Sequence, residues 1–277
     1  MACFDLRKSD AMIVEEEGDR VGEVLSCFGF LKRAMTADFS TGMAAWKPKV
    51  GVAGSAALCL VERLMAQAGD GKRRGRWSGV SQADGIWNPN DVDVFVCGRS
   101  GSRRASFRVV VRWICGNMMK DAARAGRKLM VEEEREMRYT GRPEAFLIQN
   151  VKMEGMETAV SFIQVPECRD VSEVTEQFDM DIAKCMMNIE KEQLCVPVEV
   201  ASHIWEGKAD VTRDFVTCLS YPTEVEERII CSTLSRMRKY GKRGYRFNRY
   251  SRVMSREEHR AATSRGEQEA GERGDDP

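Results

Sequence analysis

Apolar and polar positions change period several times along the chain, and each change marks an element. Lys49 to Ala53 reads as a short buried strand, and Ala56 to Gln67 then sets Leu58, Val61, Leu64 and Met65 on one helical face. Gly54-Ser55 is the hinge between them. Asp91 to Val96 alternates Asp-Val-Asp-Val-Phe-Val, so a strand here carries Asp91, Asp93 and Phe95 on one face and Val92, Val94 and Val96 on the other. From Arg103 to Glu136, the spacing of Phe107, Val110, Val111, Ile114 and Met118 competes with the β-branched run Val109-Val110-Val111, and helix is the expectation for the stretch.

Ala145 to Val151 and Thr158 to Val165 read as two strands joined around Gly155. Asp170 then caps a short helix, with Glu173 completing a capping box and Val171, Val174 and Phe178 on its apolar side. Asp179-Met180-Asp181-Ile182 returns to strand alternation, which puts Asp179 and Asp181 on one face. Thr223 and Glu226 open a capped helix that runs to about Tyr240. Before all of these, Val21, Val24, Leu25, Phe28 and Leu31 recur at helical spacing. The expected organisation is an N-terminal helical extension over 1–45, one main domain over 46–250 and a disordered charged tail over 251–277. The main domain reads as α/β (α+β), a small mixed sheet with its carboxylates on one face and helices packed on the other.

Composition narrows the partners less than the pattern does. Lysine plus arginine and aspartate plus glutamate each number 43, so attraction to nucleic acid has to come from local segregation of charge. Arg236 to Arg256 supplies such a segment, with nine basic residues, no acid, and Tyr240, Tyr245, Phe247 and Tyr250 interleaved. Cations and rings together suit a nucleic acid held through Arg236, Arg238, Lys239, Lys242 and Arg243. The same pattern equally suits a solvated helix end whose aromatics pack on the core. A second basic stretch, Lys72 to Arg76, lies in the glycine-rich connection that Trp87-Asn88-Pro89-Asn90 closes.

Ten cysteines occur without a Cys-x-x-Cys pair, and the two histidines, His203 and His259, are far apart, so no zinc site is expected. His203 reads as a structural histidine near Trp205. The longest mainly apolar stretch, Gly51 to Val61, is too short to span a bilayer, and the first residues lack the apolar core of a signal peptide. An intracellular protein, cytoplasmic or nuclear and with no membrane partner, is the expectation.

The candidate chemistry starts from the aspartates. Transfer of a phosphoryl or nucleotidyl group needs divalent cations to neutralise charge, and hard Mg2+ prefers carboxylate oxygens. Two aspartates at alternate strand positions, Asp91 and Asp93, project from one face and meet that need. A third carboxylate from another strand, Asp179 or Asp181, would complete the set. A glycine-serine turn at a helix N-terminus offers backbone N–H groups and a hydroxyl to phosphate, and Gly54 and Ser55 stand at such a turn. Each part also has a plain reading: Ser55 as an N-cap, and the aspartates as polar strand positions.

In order along residues 46–250, these parts resemble the nucleotidyltransferase superfamily, of the DNA polymerase beta-like fold, whose signature is a Gly-Ser helix turn, an Asp-x-Asp strand and a later third carboxylate. Trp87-x-Pro89-x-Asp91-x-Asp93, Phe178-Asp179 and the late Arg-Lys-Tyr and Arg-Gly-Tyr are similar to a divergent subgroup found in large DNA viruses and some eukaryotes. The chain departs from the common pattern in the more than thirty residues that separate Ser55 from Asp91. The resemblance implies transfer of a nucleoside monophosphate from a nucleoside triphosphate to an acceptor. In it Asp91, Asp93 and Asp179 would bind Mg2+ or Mn2+, with Asp181 as the alternative third ligand, and Gly54 and Ser55 would hold phosphate. The alternative is an inactive module of the same fold that binds nucleic acid or a protein through its basic C-terminal region.

Overall fold

The computed structural model describes residues 2–5, 27, 29, 31–33, 49–68, 87–98, 103–124, 126, 128–139, 146–154, 156–189, 191–211 and 224–247. The architecture is mixed α and β. Strands β1 (Ala2–Asp5), β2 (Lys49–Ala53), β3 (Asp91–Cys97), β4 (Met130–Tyr139), β5 (Phe146–Glu154), β6 (Ala159–Val165), β7 (Met186–Asn188) and β8 (Gln193–Val196) form one sheet. Among the described residues its order is β1-β8-β7-β2-β3-β6-β5-β4. Only β3 and β6 run parallel; the other neighbours are antiparallel. Helices among the described residues include α1 (Ser55–Ala68), α2 (Arg103–Arg124), α3 (Val171–Glu176), α4 (Val198–Glu206) and α5 (Glu224–Lys242). A parallel pair, β9 (Lys208–Ala209) and β10 (Arg246–Phe247), ties the residues after α4 to those after α5.

The alternation along β3 divides the molecule into two apolar layers. Val92, Val94 and Val96 enter the main core with Leu58 and Val61 of α1 and Phe107, Val110 and Ile114 of α2. On the opposite face Phe95 and Cys97 join Ala53, Val165, Met186, Val171 and Val174, and Phe95 meets Phe178 at a ring-centroid distance of 5.7 Å. The helices were expected on one face alone, but α3 covers the carboxylate-bearing face as well. It does so because Val171 and Val174 share one side of a six-residue helix that Asp170 starts. Asp170 Oδ1 accepts from the N–H groups of Ser172 and Glu173. Glu173 reaches back to the Arg169 N–H at 2.7 Å, one residue before the expected box partner. The sheet is also larger than the small one expected.

Three other expectations change. Ala2–Asp5 is a strand paired with β8, so this part of the presumed helical extension belongs to the sheet of the main domain. Cys27, Gly29 and Leu31–Arg33 are helical, with Cys27 and Leu31 buried, whereas Val21, Val24, Leu25 and Phe28 lie outside the described residues. The helix expected to reach Glu136 stops at Arg124, where Gly126 takes a left-handed φ of 72° and donates to Ala123 O. Met130–Tyr139 instead pairs antiparallel with β5. Charged residues with good helix propensity accept a strand there because β5 supplies a ladder partner, a tertiary override of a local preference.

Finally, Asp179–Ile182 is no strand: Met180 makes a single bridge to Val211, and Asp181–Lys184 forms one 3-10 turn. The tail beyond 247, Tyr250 and the connection 69–86 lie outside the described residues.

Candidate metal and phosphate site

The site is built where β2 ends and α1 begins. Gly54 takes φ 77°, a left-handed conformation that glycine adopts without penalty, and it turns the chain from β2 into α1. Its N–H donates to Cys185 O at 3.2 Å, and its carbonyl accepts from Leu58 N–H at 2.9 Å, so the turn is fixed on both sides. Ser55, the first helical residue, is buried. Ala53 pairs with Asp93 across β2 and β3, which brings the turn beside that carboxylate. A Cβ placed on Gly54 would lie 3.8 Å from Asp93 Oδ2. The turn at Gly54 therefore lies beside Asp93, with Ser55 next in the chain and Asp91 two positions away on β3.

Asp93 is partly buried, and that environment penalises its charged form. Desolvation, with Asp91 as a like charge on the same face, pushes its pKa up to about 7, while the ammonium of Lys239 acts in the opposite direction. Lys239 projects from α5 and is itself held below its ordinary value by burial and by Arg243, against the pull of Asp91 and Asp93. Two carboxylates crowded on one face, one of them ready to give up a proton near neutrality, suit a hard divalent cation.

The two candidate third carboxylates go elsewhere. Asp179 Oδ2 accepts from Arg236 Nη2 and from Thr233 Oγ1, both on α5. The strand beside β3 carries no acid at this level: Asp91 faces Ala159 and Asp93 faces Ser161, whose hydroxyl donates to Asn150 Oδ1 at 2.9 Å. Asp181 belongs to a separate cluster. Its Oδ1 accepts from the N–H groups of Ile182 at 2.7 Å and Asp210 at 2.8 Å, and its Oδ2 meets His203 Nδ1 at 2.5 Å. Asp181, His203 and Asp210 offer ligand atoms within 4.8 Å of one another, a set that could hold a metal ion. Both oxygens of Asp181 are engaged inside the protein, where they tie the 3-10 turn to α4 and to Asp210.

No family model matches this chain, and a comparison with curated proteins finds no match either.

Three of the six described basic residues at the end of α5 and just after it are partly buried and engaged within the protein. Arg236 is on Asp179, Lys239 acts on the aspartate pair, and the Arg243 guanidinium stacks 3.5 Å from the centroid of Trp87 and 5.1 Å from that of Tyr240. Tyr240 and Tyr245 are buried and pack edge to face at 6.1 Å, so these two rings serve the core and are not open to stacking bases. Arg238, Lys242 and Arg246 remain exposed.

One acid escaped sequence reasoning. Glu62, in the middle of α1, accepts from Trp87 Nε1 at 2.8 Å and from Tyr245 Oη at 2.5 Å. Burial pushes its pKa up to about 7 against the pull of both donors and of Arg243. It joins α1, the loop before β3 and the residues after α5. Its partners lie 25 and 183 positions away, so the only local signal was an acid inside an apolar helical run. Among the described residues, no helix is long and apolar enough to cross a membrane.

Proposed function

We propose that the protein is a metal-dependent nucleotidyltransferase that moves a nucleoside monophosphate from a nucleoside triphosphate to an acceptor. The observation that carries this reading is the approach of the Gly54-Ser55 turn to Asp93, on the same strand face as Asp91 and at the N-terminus of α1. Anionic phosphate is favoured at such a terminus. Asp91 and Asp93 would hold Mg2+ or Mn2+, which would supply positive charge against the charge developing on the transferring phosphate. Asp93, whose pKa burial raises to about 7, would have to be ionised to hold the cation. The ammonium of Lys239, which acts on both carboxylates, and the N-terminus of α1 would attract and orient the phosphate oxygens. Asp179, which Arg236 and Thr233 hold, would serve as third carboxylate only on release from them. We infer the nucleotidyltransferase fold from the same parts.

The test is pyrophosphate release from each ribonucleoside triphosphate with Mn2+, in the presence of the chain's own hydroxyls or an added oligonucleotide as acceptor. Release by wild type that Asp93→Ala abolishes supports the reading. Equal release by a folded Asp93→Ala protein overturns it.

A second reading has its own support: Ser161 stands beside Asp93 where a carboxylate would complete the set, and Arg236 neutralises Asp179. On this reading the fold is a binding module, and exposed Arg238 and Lys242 face an acidic partner. Nucleic-acid binding that is independent of divalent cation, unchanged by Asp91→Ala and lost in the Arg238→Glu/Lys242→Glu protein, favours it over catalysis.

A further inference from the structure

The edge strand β1 lies in register with β8 so that Cys3 stands directly opposite Cys195. Opposed residues of an antiparallel pair have Cα atoms about 4.5 or 5.5 Å apart, within the span a disulfide bridges. Here the two sulfur atoms are 3.2 Å apart, and both are free thiols. Cys3 is exposed, whereas Cys195 is buried against Ala53, Val165 and Met186 in the second apolar layer. An oxidant can therefore reach one sulfur of the pair while the other waits beside it. We propose that Cys3 and Cys195 are a reversible redox site, in which a cross-strand disulfide locks β1 onto the sheet. This is independent of the nucleotidyltransferase reading.

A low-molecular-weight disulfide such as oxidised glutathione is the co-reactant. The Cys3 thiolate attacks one sulfur of oxidised glutathione, breaking its S–S bond and releasing one glutathione thiolate. Cys195 then loses its proton to solvent and attacks the Cys3 sulfur of the mixed disulfide, releasing the second glutathione. Two protein thiols are oxidised to one disulfide, and one glutathione disulfide is reduced to two thiols. Burial and the neighbouring Cys3 push the Cys195 thiol up to about 12, so the second step is the slow one and quickens with alkali. Exposed Cys231 has no second thiol beside it among the described residues and serves as an internal control.

The closed loop spans 192 residues, so a bond here constrains the unfolded chain strongly. The experiment is to treat the full chain with oxidised glutathione at about pH 8, where thiolates form. Free thiols are then blocked with N-ethylmaleimide, and peptides are mapped without reduction. The expected result is a Cys3 peptide joined to a Cys195 peptide, loss of two hydrogens per chain, and a glutathione adduct on Cys231. The oxidised chain should melt about 5 °C or more above the reduced one, a rise absent in Cys3→Ser. A stable glutathione adduct on Cys3 with Cys195 still free, or an unmodified Cys3 beside an oxidised Cys231, would overturn the proposal.

Discussion

Arg236 Nη2 donates to Asp179 Oδ2, the oxygen that Thr233 Oγ1 also holds, so helix α5 neutralises one of the two candidate third carboxylates. If Asp179 serves with Asp91 and Asp93, releasing it should strengthen cation binding. Arg236→Ala should tighten Mn2+ binding about fivefold, equivalent to about 1 kcal/mol. Asp179→Asn in that background should remove the gain, which electron paramagnetic titration of Mn2+ reads directly. Unchanged affinity in a folded Arg236→Ala protein would confine Asp179 to holding α5.

The second prediction concerns pH. Asp93 has a folded pKa raised to about 7 from an ordinary 3.8, so the unfolded chain releases this proton at lower pH than the folded one. Its contribution to stability is fully present below about pH 4 and is lost as pH rises through about 7. Asp93→Asn removes this loss. In cation-free buffer the variant should gain on wild type by at least about 1 kcal/mol between pH 5 and 8, as urea unfolding measures. Mn2+ affinity of wild type should rise with pH up to about 7 and level off above it, because binding displaces the proton.

What the chain revealed before its structure depended on how local the cause was. The strand at Lys49–Ala53, the turn at Gly54 and helix α1 follow from short-range periodicity and glycine, and they appear where expected. The strand Asp91–Cys97 likewise keeps its two faces. Asp179 and Asp181 alternate like a strand, but their partners decide otherwise: Arg236 lies 57 positions on, and His203 and the Asp210 N–H lie 22 and 29 positions on. Hydrogen bonds to such distant groups leave no trace in local spacing. Met130–Tyr139 fails for a related reason, since only its ladder with β5 makes it a strand.

Glu62 gives a third prediction. It accepts from Trp87 and Tyr245 in a partly buried setting, so removing one donor leaves a carboxylate short of a partner. Tyr245→Phe should destabilise by about 1–3 kcal/mol in urea, and Trp87→Phe by a similar amount. An effect under a few tenths of a kcal/mol in both would show that the network contributes little.

Gly51 within β2 and Gly54 at the turn should respond differently. A Cβ on Gly51 would meet Val171 Cγ2 at 2.8 Å and Met187 O at 2.9 Å, so Gly51→Ala pushes α3 and β7 away from β2. Gly54→Ala meets only ordinary contact at Asp93 Oδ2 but strains a left-handed backbone, which costs about 1–2 kcal/mol. Thermal unfolding should rank Gly51→Ala as the less stable. Gly54→Ala should still fold, yet lose phosphate binding if the turn cradles substrate.

The most direct measurement is calorimetric titration of each ribonucleoside triphosphate, with Mg2+ or Mn2+, into wild type and into the Asp91→Ala/Asp93→Ala protein. Wild type should bind at least one nucleotide with a dissociation constant between about 1 μM and 1 mM, the range usual for enzyme substrates, and only with the cation present. The double variant, folded by circular dichroism, should not bind. Cation-independent binding, or equal binding by both proteins, would contradict a metal site at Asp91 and Asp93.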